Sequence, residues 1–153
     1  MAERRGMEVT GCRPSTTPRL SATMTPVAPR LYIVDEHERV RRALADRLTR
    51  SASVEVVGDS GDAAETMLAI HQVPVDVVLV EIKRSDGMGL ELVREISSTR
   101  NGPKVIVLTS YPTDWEEEAA RRAGAAAYLL KDLEPEELLK HILAEAGHRG
   151  SAT

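Results

Sequence analysis

From Arg30 onward, short apolar runs alternate with amphipathic stretches, the pattern of repeated strand–helix units around a parallel sheet. Strands are predicted at 31–34, 54–57 (closed by Gly58), 76–80, 104–108 and 126–130. The first helix is predicted over 37–50, with Val40, Leu44 and Leu48 on one face at i, i+4, i+8 spacing. The second opens with Asp62 and Glu65 at capping-box spacing and is expected to bury Met67, Leu68 and Ile70. The third carries Leu90, Val93 and Ile96 after a loop containing Gly87 and Gly89. Asn101-Gly102-Pro103 reads as a turn. Thr113 and Glu116 cap a fourth helix that Gly124 ends, and Pro135 opens a fifth carrying Leu138, Leu139, Ile142 and Leu143.

The third and fourth strands are apolar on both faces, as a sheet covered by helices on both sides requires. Right-handed crossovers with short loops then give an α/β, doubly wound, five-stranded parallel sheet, expected in the order 2-1-3-4-5. Ligands of such sheets bind beyond the C-terminal strand ends, where the strand order reverses. In this order that point lies between strands one and three.

The first stretch, 1–29, breaks the pattern: it holds Pro14, Pro18, Pro26 and Pro29 among Thr, Ser and Arg, with no hydrophobic periodicity. It reads as a disordered extension before a domain at 30–147, with a short polar tail at 148–153. Met7 and Met24 are in-frame, so the start could fall at Met1, Met7 or Met24. The 153 residues suffice for one domain, and 42% hydrophobic with 29% charged residues is a globular composition. A formal charge of −4 supplies no basic footprint, so no nucleic-acid contact is expected from this chain. One cysteine, Cys12, excludes an internal disulfide and suits a cytoplasmic location. No apolar run approaches the roughly 20 residues of a membrane span.

Four strand ends carry chemistry. The first ends in Asp35-Glu36, the third in Glu81, the fourth in Thr109 and the fifth in Lys131. Asp35, Glu36 and Glu81, with the Lys83 carbonyl, offer the oxygen ligands a hard dication such as Mg²⁺ takes. Lys131 is the counter-charge to three clustered carboxylates, and Thr109 is placed to donate a hydrogen bond. Blander readings stand beside these: a helix-start acid pair for Asp35-Glu36, a β-branched strand residue for Thr109, a solvated lysine at 131. The four together favour a single site.

Ile33-Val34-Asp35-Glu36, Asp76-Val77-Val78-Leu79-Val80-Glu81, Val107-Leu108-Thr109-Ser110 and Tyr128-Leu129-Leu130-Lys131-Asp132 resemble, in order and spacing, the receiver domain of bacterial two-component response regulators, a flavodoxin-like fold. The likeness runs from about Leu31 to Ala146, and 129–139 is most similar to receivers that precede a helix-turn-helix domain. It implies an aspartate at position 81 that accepts a phosphoryl group from a histidine kinase, an acidic pair holding Mg²⁺, and Thr109 and Lys131 on the phosphoryl oxygens. It implies a switch through Tyr128 and the Thr109-Ser110 end. The chain departs at the acceptor, which is Glu81, and in the loop, where Ser85, Asp86 and Met88 replace the usual Pro, Gly and Asp.

One extra methylene carries the Glu81 carboxylate over about 1 Å along the axis of phosphate attachment, and such an error can lower a rate roughly a hundredfold. The expectation is an atypical receiver, not an enzyme, unphosphorylated at Glu81 and either on-like or locked. It would act by contact with a histidine kinase, another regulator or a second copy. The alternatives are a conventional phosphoacceptor, with Asp86 as a minor displaced candidate, or a small flavodoxin-like nucleotide or flavin binder. Against the last, Asp35-Glu36-His37-Glu38 would repel a phosphate. Tyr128 reads equally as switch or core. Trp115 reads as a partner-binding residue or as cover over the apolar face. His37 reads as a solvent-facing helix start, and Glu116-Glu117-Glu118 as a solvated face.

Overall fold

The computed structural model describes residues 27–151, with side chains within 27–147. The elements alternate: β1 (Arg30–Val34), α1 (Glu38–Ser51), β2 (Glu55–Ser60), α2 (Ala63–Gln72), β3 (Val77–Glu81), α3 (Gly89–Ser97), β4 (Lys104–Thr109), α4 (Asp114–Ala123), β5 (Ala127–Leu130) and α5 (Pro135–Ser151). All strand pairs are parallel, in the order β2-β1-β3-β4-β5, so the expected 2-1-3-4-5 sheet is present.

Strand alternation divides the core in two. Leu31, Ile33, Val77, Leu79, Ile106 and Leu108 pack against Leu44 and Leu48 of α1 and Leu138 and Ile142 of α5. Tyr32, Val34, Val78, Val80, Val105 and Val107 pack on the other face against Ile70, Leu92, Val93, Ile96, Ala120 and Ala123 of α2, α3 and α4. All five β3 residues are buried, as the central strand of a sheet covered on both sides must be. Burying each such Val, Leu or Ile is worth about 1.5–3 kcal/mol relative to exposure. No helix of the described residues is long and apolar enough to cross a membrane.

Several expectations need correction. Val40 lies 42% exposed, because Arg41 takes the inward position at the first turn of α1 and reaches the Asp35 carbonyl and Asp59. Leu68 is 61% exposed; the buried positions of α2 are Thr66 and Ile70, and the Thr66 hydroxyl satisfies itself on the Asp62 carbonyl at 2.8 Å. Leu143 is exposed at the outer edge of α5, and Leu92, not singled out, is buried in α3. Gly58 does not close β2. The strand runs on to Ser60, and the glycine clears space for the Tyr32 ring, which would stand 2.8 Å from a Cβ there. The register between β1 and β2 shifts at that point. α5 continues through Gly147 to Ser151, so the tail predicted from 148 is helical in its first residues; neither proline nor a left-handed residue stops it. Pro29, assigned to the extension, already accepts the Glu55 N–H at 2.8 Å, while the rest of that extension, 1–26, lies outside the described residues.

Ends of elements follow local chemistry. Asp62 caps α2 and Thr113 caps α4 through their side chains, and Gly124 in the left-handed region (φ 113°) closes α4. Neither Glu65 nor Glu116 completes its capping box: Glu65 accepts from the Ser60 hydroxyl, and Glu116 turns into the site described below. The β3–α3 loop folds back so tightly that a Cβ on Gly89 would lie 1.9 Å from the Ile82 carbonyl oxygen. Gly89→Ala is therefore expected to destabilise the domain by about 1–3 kcal/mol. Gly147→Ala, with nothing within 4 Å of the new methyl, is expected to be neutral or to stabilise by up to about 1 kcal/mol. Urea denaturation of the two variants checks the opposite signs.

Candidate functional site

The C-terminal ends of β1, β3, β4 and β5 bring Asp35, Glu81, Thr109 and Lys131 together, all buried or nearly so. The Lys131 ammonium sits between the carboxylates of Asp35 and Glu81, contacting Asp35 Oδ2 directly and Glu81 Oε1 at 3.1 Å. Glu81 Oε2 accepts the backbone N–H of Lys83 at 2.9 Å, so both carboxylate oxygens are engaged. Asp35 Oδ1 accepts the His37 N–H at 2.9 Å, and the His37 ring, 68% exposed, touches the same oxygen at 3.1 Å. His37 thus stands at the solvent-facing start of α1, as expected.

These contacts set the ionisation. Burial opposes the charge on Asp35, but the Lys131 ammonium and the His37 N–H outweigh it and hold the carboxyl below the ordinary aspartate value. Burial likewise opposes the charge on Lys131, and the two carboxylates outweigh it, leaving the ammonium above the ordinary lysine value.

Glu36 does not join this group. Its carboxylate accepts from the Ser85 N–H at 2.8 Å and the Ser85 hydroxyl at 2.9 Å, with the Arg84 guanidinium 3.9 Å away, and these hydrogen bonds lower its pKa. Asp35, Glu36, Glu81 and Lys83 were expected to share one cation. Among the described residues, no three His, Cys, Asp or Glu side chains are grouped to hold one. The physical reason is competition: Lys131 draws Asp35 and Glu81 together, while Ser85 and Arg84 draw Glu36 toward the loop.

Thr109 is fully buried, but its hydroxyl oxygen accepts the Tyr111 N–H at 3.2 Å rather than reaching Glu81. Its carbonyl accepts the Lys131 N–H at 2.8 Å, which fixes the base of the lysine. Ser110 is exposed beside it. Trp115 is 74% exposed at the start of α4, so it covers no apolar face, and Tyr111 beside it is 75% exposed.

Two participants escaped the sequence reading. Glu116 is buried, not part of a solvated face. Its carboxylate accepts from the Lys83 ammonium at 2.9 Å and from the Tyr128 hydroxyl at 2.6 Å. The Thr113 N–H also donates to the Tyr128 oxygen at 3.2 Å. Burial and the Glu116 carboxylate push the Tyr128 pKa up to about 12. Tyr128 is packed on the core cluster, as its core reading expects, and its hydroxyl is hydrogen-bonded as well. The second participant is Arg84, whose side chain is only 4% exposed within the β3–α3 loop. Only a charged residue in a polar loop marked it, and that signal is not distinctive.

The response regulator receiver domain family matches residues 31–143, and the chain belongs to that family. It is 35% identical over 113 residues to the DNA-binding transcriptional activator DevR/DosR of Mycobacterium tuberculosis, covering 74% of this chain and 52% of that protein. It is 33% identical over 115 residues to the transcriptional regulatory protein LiaR of Bacillus subtilis, covering 75% and 54%. Among solved structures, the signal receiver domain of the response regulator NarL from Mycobacterium tuberculosis superposes with a TM-score of 0.72 at 28% identity, over 80% of this chain and 98% of that one. The chain spans about half the length of the curated relatives it matches. It is a receiver domain of two-component signalling, a class that interacts with histidine kinases and generally binds Mg²⁺ for phosphorylation. The donor atoms here are hard oxygens suited to Mg²⁺. Their arrangement does not fit it, because Lys131 already pairs with Asp35 and Glu81, while Ser85 and Arg84 hold Glu36 away from them.

Two measurements follow. A lowered aspartate pKa gives stability that is present above about pH 4 and lost as pH falls below it. Asp35→Asn should therefore be less stable than wild type at neutral pH but lose less stability between about pH 4 and pH 2, read by denaturant titration at each pH. Ultraviolet titration, with Tyr128→Phe as reference, should show the Tyr128 midpoint falling below its value of about 12 in Glu116→Gln. It should stay above the ordinary value near 10 because burial remains.

Proposed function

We propose that this receiver works without phosphorylation of Glu81 and signals by protein contact, as a binding module and not a catalyst. The observation that carries the reading is the engagement of both Glu81 oxygens, Oε1 by the Lys131 ammonium and Oε2 by the Lys83 N–H. A nucleophile needs a free lone pair aligned with the phosphorus at about 3–3.5 Å. Each Glu81 oxygen keeps a second lone pair, but the Lys131 ammonium and the Lys83 N–H fix the direction in which it points, and the carboxylate stands about 1 Å too far forward for in-line attack.

Of the two phosphate-independent states, the locked one is favoured. A residue imitating the phosphorylated acceptor would accept the Thr109 hydroxyl proton, and Glu81 is engaged by Lys131 and Lys83 with no hydrogen bond to Thr109. Tyr128 is held by Glu116 and the Thr113 N–H and makes no hydrogen bond to Glu81 itself.

The contact surface in this reading is formed by α4, β5 and α5, where Trp115 and Leu130 stand exposed, with Tyr111 exposed in the loop before α4. Large aromatic side chains of this kind anchor protein interfaces. The partner is a histidine kinase, another regulator or a second copy of the chain, in the cytoplasm. The transcriptional roles in the relatives' names belong to proteins about twice the matched length, and contact with DNA would rest on segments outside the matched stretch.

The test is direct. Wild-type protein incubated with Mg²⁺ and acetyl phosphate should keep its intact mass, and beryllofluoride should leave Trp115 fluorescence unchanged. A labile phosphoryl adduct mapped to Glu81 would sink the proposal.

A further inference from the structure

The β3–α3 loop carries a guanidinium whose side chain is only 4% exposed. The loop backbone turns tightly, with the Arg84 N–H on the Ile82 carbonyl at 3.0 Å and the Gly87 N–H on the Arg84 carbonyl at 3.0 Å. This aims the guanidinium inward. Nη2 contacts the Gly61 carbonyl at 3.1 Å, Asp86 Oδ2 at 3.1 Å and Glu36 Oε2 at 3.9 Å, and Nε lies 3.3 Å from both Asp86 oxygens. Nη1 is buried with no hydrogen-bond partner.

A guanidinium buried with one nitrogen unsatisfied is not placed there by hydrogen bonding alone, since the orphan donor opposes burial. It is held by carboxylate charge. Two organic cations thereby divide the acids at this end of the sheet: Lys131 takes Asp35 and Glu81, and Arg84 takes Glu36 and Asp86. Ser85 contributes to the same partition, because its backbone N–H donates to Glu36 Oε1 at 2.8 Å, a bond that a proline in that position could not make.

We infer that Arg84 is the resident cation of this site, replacing a divalent metal, so that the loop keeps its conformation at any Mg²⁺ concentration. A guanidinium cannot be deprotonated in a protein, so the substitute charge is permanent. It also delivers its charge in plane, through a fork matched to carboxylates, and leaves the octahedral oxygen set that Mg²⁺ requires unassembled. The inference rests on reading this cluster as a receiver site; it does not depend on whether Glu81 accepts phosphate.

The experiment is a Mn²⁺ titration of the full chain with no phosphodonor, followed by water-proton relaxation and by Trp115 quenching. Wild type should show no saturable binding in the low-millimolar range beyond that of Asp35→Asn. The double variant Arg84→Met/Ser85→Pro, which frees Glu36, should bind at least about tenfold more tightly than wild type. Saturable wild-type binding that Asp35→Asn abolishes would overturn the inference, as would a folded double variant that binds no better. Should the double variant fail to fold by circular dichroism, the wild-type and Asp35→Asn titrations alone decide. Phosphorylation of the wild type by acetyl phosphate would defeat the reading of Glu81 while leaving this result untouched.

Discussion

One partly buried ammonium, placed between two buried carboxylates, governs the C-terminal end of the sheet. Lys131 leaves β5 at the sheet edge and must reach past β4 to touch Glu81 on β3 and Asp35 on β1. Neighbouring strands lie about 4.8 Å apart, so only a long, unbranched side chain spans that distance. Removing charges from water is costly, and their mutual attraction repays that only with good geometry and satisfied remaining lone pairs. The His37 and Lys83 N–H groups supply that satisfaction for Asp35 and Glu81. With the trio in place, each acid has its conformation fixed from both sides.

The loop after β3 answers the same electrostatic demand by other means. Lys83 turns its side chain toward α4 to meet Glu116, and Glu116 in turn holds Tyr128. Arg84 turns the opposite way, toward Glu36, Asp86 and the Gly61 carbonyl after β2. Two adjacent basic residues thus tie the loop to α4 on one side and to the β1 and β2 ends on the other. A shallow cavity of about 620 Å³ lies between them, lined in part by Trp115 and Leu90. The exposed indole is therefore next to, not remote from, the charged cluster.

What the sequence made legible was whatever depends on period and strand-end position. Apolar residues on both faces of β3 and β4 required a covered parallel sheet, and the acid, hydroxyl and ammonium at strand ends had to meet wherever the strands were parallel neighbours. Illegible were contacts settled by which rotamer a charged residue adopts in three dimensions. Glu116 in a run of three glutamates has the appearance of a solvated face, and nothing local shows that Lys83 lies opposite it. Arg41 displaced Val40 from the core of α1 because Asp59 and the Asp35 carbonyl offered it partners distant in sequence. The expectation for Glu36 failed for the same reason: its attraction to Ser85 and Arg84 is a tertiary contact, between residues 49 apart in the case of Ser85.

The far pole of the molecule carries a second cavity, of about 840 Å³, walled by Val27, Pro29 and Arg30 before and within β1 and by Leu143, Ala146 and Gly147 of α5. Entry to the first strand and exit from the last helix therefore converge, roughly one strand length, or about 17 Å, from the lysine–acid trio. Anything tethered at this pole feels events at the other only through rigid-body leverage, as a door frame feels a lock through the panel between them.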